Sequence, residues 1–211
     1  MLLILLCAVV GPARATVFPT QASGVFVDID GTILTVAHAV AGCRAPLVAY
    51  HGQVYRAERR AVVSAADLAL LHTSALGLLA ARWRDSDVTA GLPVFAAGYS
   101  RLLTDDAMTL TNALVVEADP ARLVLVSAVE PGASGSPVLD GRGAVLGLVR
   151  ARRASPGTTR GQAEAIGQAP IKAFLTANGL PYRTARKREL AVNQPKAGRA
   201  RTLTVGILCG G

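Results

Sequence analysis

Three short fragments of this 211-residue chain carry side chains that could act on one another. Thr35-Val-Ala-His38 closes one apolar run. Asp67-Leu-Ala-Leu-Leu opens another. Glu130-Pro-Gly132-Ala-Ser134-Gly135-Ser-Pro137 forms a glycine-rich turn ahead of a third. Acyl transfer to a serine needs a hydroxyl that attacks, a base of near-neutral pKa that takes and returns its proton, and a carboxylate that fixes the tautomer of that base. Ser134, His38 and Asp67 are of those three types. The glycines of the turn let two backbone amides converge on the point where an oxyanion develops. The Gly132 and Ser134 N–H groups are the candidates. Singly, each residue is unremarkable: a histidine on a surface, an aspartate at a strand end, a serine in a turn. Their joint occurrence, in the order His…Asp…Ser, is what carries the chemistry.

The elements that must position these residues read as short strands. Gly24–Ile29 and Thr32–Val36 flank Asp30-Gly31, a hairpin signal. Further runs lie at 45–50, 53–57, 61–63, 68–72, 93–98, 108–116, 123–127 and 144–149. Strands this short and this frequent predict an antiparallel, all-β barrel or sandwich. Two helical patterns interrupt them. One is a turn near Ala37–Gly42. The other runs from Pro170, with Asn178-Gly179 closing its end. Leu203–Cys209 is apolar and fits either a late strand or a sticky end.

The fragments T-V-A-H, D-L-A-L-L and G-A-S-G-S-P resemble the motifs of chymotrypsin-fold (trypsin-like) serine peptidases, in particular the bacterial HtrA type. The resemblance covers about residues 16–180. It implies two six-stranded antiparallel barrels, one over about 16–88 bearing His38 and Asp67, the other over about 89–182 bearing Ser134. A C-terminal helix and a basic tail would follow. It also implies a protein or peptide substrate and no metal or cofactor. No PDZ-like module fits in the residues that remain. Ala133 precedes the nucleophile, where digestive trypsins carry the aspartate of their zymogen switch, so no such switch is expected. Ala128 stands where an acidic specificity residue would lie, so small or aliphatic side chains are expected at the cleaved position. Arg150 and Arg152 follow the strand that borders the substrate and are candidates to touch it.

Charge is unevenly distributed. Of 22 basic residues 19 are arginine, and the net charge is +8. Residues 1–149 hold 10 basic and 12 acidic side chains, so the excess lies in residues 150–211. The basicity thus says little about the candidate chemistry. Residues 183–211 read as a flexible basic tail that could contact an anionic surface and whose deletion should spare activity. The tail lacks interleaved aromatic residues, so specific nucleic-acid binding is not expected. Residues 2–10 are nine consecutive apolar residues, followed by Gly11-Pro12 and Ala13-Arg14-Ala15. That pattern reads as a signal peptide over 1–15, with export to the periplasm or medium. A membrane span needs about 20 apolar residues, and no stretch reaches that. Cys43 and Cys209 would remain after cleavage, either as a disulfide or as free thiols.

Two other readings compete. Asp28-Ile-Asp30-Gly31-Thr32 resembles the first motif of haloacid-dehalogenase-type phosphatases, with Asp28 as nucleophile, Asp30 as acid/base and Mg²⁺ as cofactor. That chemistry needs alternating strands and long helices, which the pattern lacks. A non-catalytic binding module on a protease-like fold is the other.

Overall fold

The structure, a computed structural model, describes residues 20–99, 102, 108–130, 132–153, 161–185 and 195–210. The expected signal segment and residues 186–194 of the basic tail lie outside the described residues.

The chain begins with β1 (Thr20–Phe26), β2 (Thr32–Thr35), β3 (Ala45–Tyr50), β4 (Gln53–Val63) and β5 (Leu68–Thr73). The β1–β2 turn shows why the phosphatase motif is a decoy. Asp28 Oδ1 accepts from the backbone amides of Asp30 and Thr32, at 3.0 and 2.8 Å. Gly31 sits at φ +96°, in a conformation that disfavours a side chain. The aspartate-rich sequence therefore builds a tight turn. Among the described residues, parallel pairing is confined to the short strand Arg82–Arg84 and no helix exceeds ten residues, so the architecture that a phosphatase of that type needs is not built there.

β4 joins two runs that the sequence separates. Glu58-Arg59-Arg60 interrupts the apolar pattern, yet the strand continues through it with a register shift between Arg59 and Ala61. The charges are tolerated because that stretch of β4 faces water.

Six further strands close a second antiparallel barrel: β7 (Pro93–Gly98), β8 (Thr109–Ala118), β9 (Arg122–Ser127), β10 (Pro137–Asp140), β11 (Val145–Arg153) and β12 (Gln162–Ile166). Around that barrel the order is β10-β7-β8-β9-β12-β11, with β11 returning to β10. β6 (Arg82–Arg84) joins β11 in parallel, and β13 (Arg183–Ala185) adds to β6. Helix α1 (Gln168–Ala177) places Pro170 in its first turn, where a missing amide costs nothing, and ends at Gly179 with φ +70°. It buries Ile171, Phe174 and Leu175, a stripe spaced for one helical face.

The C-terminal third departs from expectation. Helix α2 (Lys196–Leu203) leads into β14 (Thr204–Gly210). β14 pairs antiparallel with β1 on one side and β3 on the other, closing barrel one in the order β1-β14-β3-β4-β5-β2. The barrel expected over residues 16–88 thus takes its sixth strand from the end of the chain. Residues 195–210 are consequently not a flexible tail. Their alternating buried residues Val205 and Ile207 complete an apolar core that five strands alone leave open. Cys43 and Cys209 form a disulfide, with Cα atoms 5.4 Å apart. Tyr50 reinforces the join by donating its hydroxyl to the Thr202 carbonyl at 3.1 Å, and burial holds that phenol above its ordinary pKa.

Candidate active site

His38 lies on a 3₁₀ turn, Ala37–Ala39, directly after β2. Ala37 and Ala39 are buried beneath it, so the intervening side chain points outward. Asp67 ends a second 3₁₀ turn, Ser64–Ala66, just before β5. Its backbone is left-handed, at φ 53° and ψ 43°, a conformation that aspartate tolerates better than most residues. This turn aims its carboxylate back at His38.

The two side chains meet closely. His38 Nδ1 is 2.9 Å from Asp67 Oδ2 and 3.1 Å from Oδ1, and the His38 amide donates to Oδ1 at 2.9 Å. The imidazole is 49% exposed and the carboxylate 8%. A shielded carboxylate therefore engages Nδ1, and the imidazole is half exposed.

Ser134 stands on a turn fastened to both barrels. The Gly135 amide donates to the Val149 carbonyl at 2.7 Å, and the Val149 amide to that of Ser136 at 2.8 Å. From barrel one, the Ser23 amide donates to the Ser134 carbonyl at 2.7 Å. Gly132 and Gly135 both have positive φ, at 92° and 84°. The Ser134 hydroxyl donates to the Arg150 carbonyl at 3.2 Å. Among the hydrogen bonds of the described residues, it is not shared with His38. A turn about one side-chain bond would redirect it.

Three residues play parts that the sequence reading did not assign to them. Ser23, fully buried in β1, donates from Oγ to the Gly132 carbonyl at 3.1 Å and accepts the Tyr99 amide at 2.8 Å. Thr35 Oγ1 donates to the Ser23 carbonyl at 2.7 Å, linking that strand to the one that leads into His38. Glu164, on β12, meets Arg150, whose side chain also reaches Asp67. Thr35 belonged to a recognisable motif. For Ser23 there is no local signal, since a serine in a strand predicts nothing about the turn it will pin 109 residues away. Ala128 lies exposed just after β9. Arg150, a candidate to touch substrate, sends its side chain to Asp67 and Glu164 instead.

Ser23 is open to a direct check. Ser23→Ala removes the donor used by the Gly132 carbonyl and the acceptor used by the Tyr99 amide. The expected loss is about 1–3 kcal/mol of stability and about tenfold in kcat, as the Gly132 turn loosens. Thermal unfolding and steady-state kinetics would show it. A variant with wild-type kcat would remove Ser23 from the support of this turn.

Among the described residues, the clefts outside the His38–Asp67 pair include two roomy ones. One, of about 440 Å³, opens between Asp85, Asp119 and Lys172, away from the candidate residues. Another, of about 400 Å³, is lined by Ala65, Ala66, Arg150 and Glu164, adjoining Asp67. Among the described residues, no group of three or more metal-ligating side chains converges, and no helix is long and apolar enough to cross a membrane.

A family model for a trypsin-like peptidase domain matches residues 22–148. The chain belongs to the trypsin-like peptidase family. The match begins in β1 and ends within β11, two residues before Arg150. A curated relative, the uncharacterized protein y4bJ of Sinorhizobium fredii (strain NBRC 101917 / NGR234), is 33% identical over 136 residues. That alignment covers 62% of this chain and 22% of the relative, so the chain spans under a quarter of that protein. Among solved structures, the active form of the Rv3671c protease from M. tuberculosis aligns with a TM-score of 0.67 and 22% identity, over 79% of this chain and 77% of that one. The serine endoprotease from Yersinia pestis aligns with a TM-score of 0.67 and 23% identity, over 78% and 59%. These likenesses speak for the chymotrypsin fold.

Proposed function

We propose that this trypsin-like family member is a serine endopeptidase that hydrolyses peptide bonds through Ser134, His38 and Asp67. The observation that carries the reading is the His38–Asp67 pair, with its carboxylate buried and its imidazole open, beside a glycine turn that presents Ser134. On substrate binding the Ser134 hydroxyl leaves the Arg150 carbonyl and turns to His38 Nε2. His38 takes the proton as Ser134 Oγ attacks the peptide carbonyl. Asp67 holds the Nδ1–H tautomer and stabilises the imidazolium. The Gly132 and Ser134 amides receive the oxyanion. His38 then protonates the leaving amine, and water hydrolyses the acyl-enzyme by the reverse proton path.

Ala128 favours small or aliphatic residues at the cleaved position. Export agrees with the Cys43–Cys209 disulfide, since such bonds persist in oxidising compartments. The test is covalent labelling with a fluorophosphonate. Folded wild type should label, and Ser134→Ala should not. Wild type that is folded yet unlabelled would sink the catalytic reading and favour a binding module on this fold.

A further inference from the structure

Arg150 touches both ends of the candidate triad. Its carbonyl accepts the Ser134 hydroxyl at 3.2 Å, and its Nε donates to Asp67 Oδ2 at 3.1 Å. The backbone explains how one residue does both. β11 and β12 pair Val149 with Ala165 and Ala151 with Glu164, so Arg150 is the extra residue of a bulge. A bulged residue leaves the regular ladder, and its carbonyl and side chain are re-aimed. The pairing also sets Glu164 opposite the next residue, within reach of the guanidinium. Arg150 Nη1 donates to Glu164 Oε1 at 3.2 Å.

We propose that Arg150 is a positioning residue: its guanidinium clamps the Asp67 carboxylate against His38, and Glu164 holds the other side of the clamp. This rests on the peptidase reading of the same site. Asp67 accepts three donors, from the His38 amide, the His38 ring and Arg150 Nε. The two from His38 come from one residue of barrel one and reach Oδ1 and Oδ2. The third comes from the other barrel and shares Oδ2 with the His38 ring, so it ties that oxygen to β11. The 400 Å³ cleft is lined by the clamp itself, Arg150 and Glu164, together with Ala65 and Ala66 of the turn that carries Asp67.

Arginine suits this task where lysine does not. Its planar fork presents Nε and Nη1 along fixed directions, one to each carboxylate, while an ammonium is a single point of charge. The charges also balance. With neutral His38, the cluster of Asp67, Glu164 and Arg150 carries −1, and protonation of His38 brings it to zero. Glu164 thereby offsets the cation that Arg150 places near the imidazolium. The Arg150 side chain is 47% exposed, so its worth is geometric more than Coulombic.

The test uses the full chain and two readings. The first is the low-field proton resonance of His38 Nδ1–H in the substrate-free protein. The second is kcat and KM on a peptide substrate. Arg150→Met keeps the aliphatic stem and removes the donors. It should shift or broaden the resonance and lower kcat about tenfold, with KM changing less than about twofold. Arg150→Lys should recover part of both. Glu164→Gln should show the same changes at reduced size. If Arg150→Met does not fold, Arg150→Gln carries both readings.

An unmoved resonance, or a loss confined to KM, would overturn the clamp and return Arg150 to the substrate border. A wild type without the resonance would also overturn it. Because the resonance needs no substrate, a wild type that shows it yet hydrolyses nothing counts against the peptidase reading alone.

Discussion

Deleting residues 204–211 will unfold barrel one instead of trimming a tail. β14 is hydrogen-bonded on both sides, to β1 from Thr20 to Val25 and to β3 from Ala45 to Ala49. Its removal opens the barrel and leaves two strands with unpaired edges. The buried side chains Val205, Ile207 and Leu208 go with it, at about 1.5–3 kcal/mol each. So does the Cys43–Cys209 bond, which closes a loop 166 residues long in sequence and contributes about 2–5 kcal/mol. Together these rival the whole stability of a domain, about 5–15 kcal/mol. His38 and Asp67 both sit on barrel one, so activity should vanish with the fold. Denaturant unfolding of the truncated chain, followed by circular dichroism, is the measurement. A cooperative transition at the wild-type midpoint would refute this account. It would instead restore the reading of the C-terminus as dispensable.

That result bears on what a sequence can disclose. The triad candidates were legible because each sits in a short local motif whose chemistry constrains neighbouring residue types. Most strands were legible too, because a short apolar run bounded by turn residues needs only about six residues to show. Pro93–Gly98 and Ala45–Tyr50 fall where such runs put them, and each is buried over most of its length. The role of Leu203–Cys209 was not. Its apolar character is plain, but its partners are Val25 and Val48, and no local pattern says which barrel a late strand will enter. Arg150 fails for the opposite reason. Its place after the 144–149 run, at the substrate border, was noted. The direction of its side chain depends on a bulge, and a bulge is a matter of register between two strands, invisible in either one alone. The charge count misled in the same way. The basicity was read as saying little about the chemistry, yet Arg150, the first basic residue of 150–211, donates to Asp67.

Asp67→Asn should cost far more than any support residue, about 10⁴-fold in kcat. The reason lies in the donors around it. All three neighbours of the carboxylate donate: the His38 amide, His38 Nδ1 and Arg150 Nε. A carboxylate has acceptor capacity for all of them, but an asparagine has one oxygen and an NH₂ that also donates. Oδ2 takes both His38 Nδ1 and Arg150 Nε, while Oδ1 takes the His38 amide. If the NH₂ takes the Oδ2 place, it faces the His38 ring and the guanidinium together. The imidazole then relieves the clash by moving its proton from Nδ1 to Nε2. In that tautomer Nε2 can no longer take the proton of Ser134, and no anion remains to stabilise an imidazolium. If the oxygen takes the Oδ2 place, the NH₂ meets the His38 amide instead, and two donors face each other there. Both arrangements keep the fold, since Asn is nearly the size of Asp and also tolerates the left-handed backbone at this position. The expected signature is thus a wild-type unfolding midpoint within about 1 kcal/mol, a collapse of kcat, and fluorophosphonate labelling slowed to a similar degree. Rates within about tenfold of wild type would mean that Asp67 does not set the tautomer, and that His38 is held by some other group.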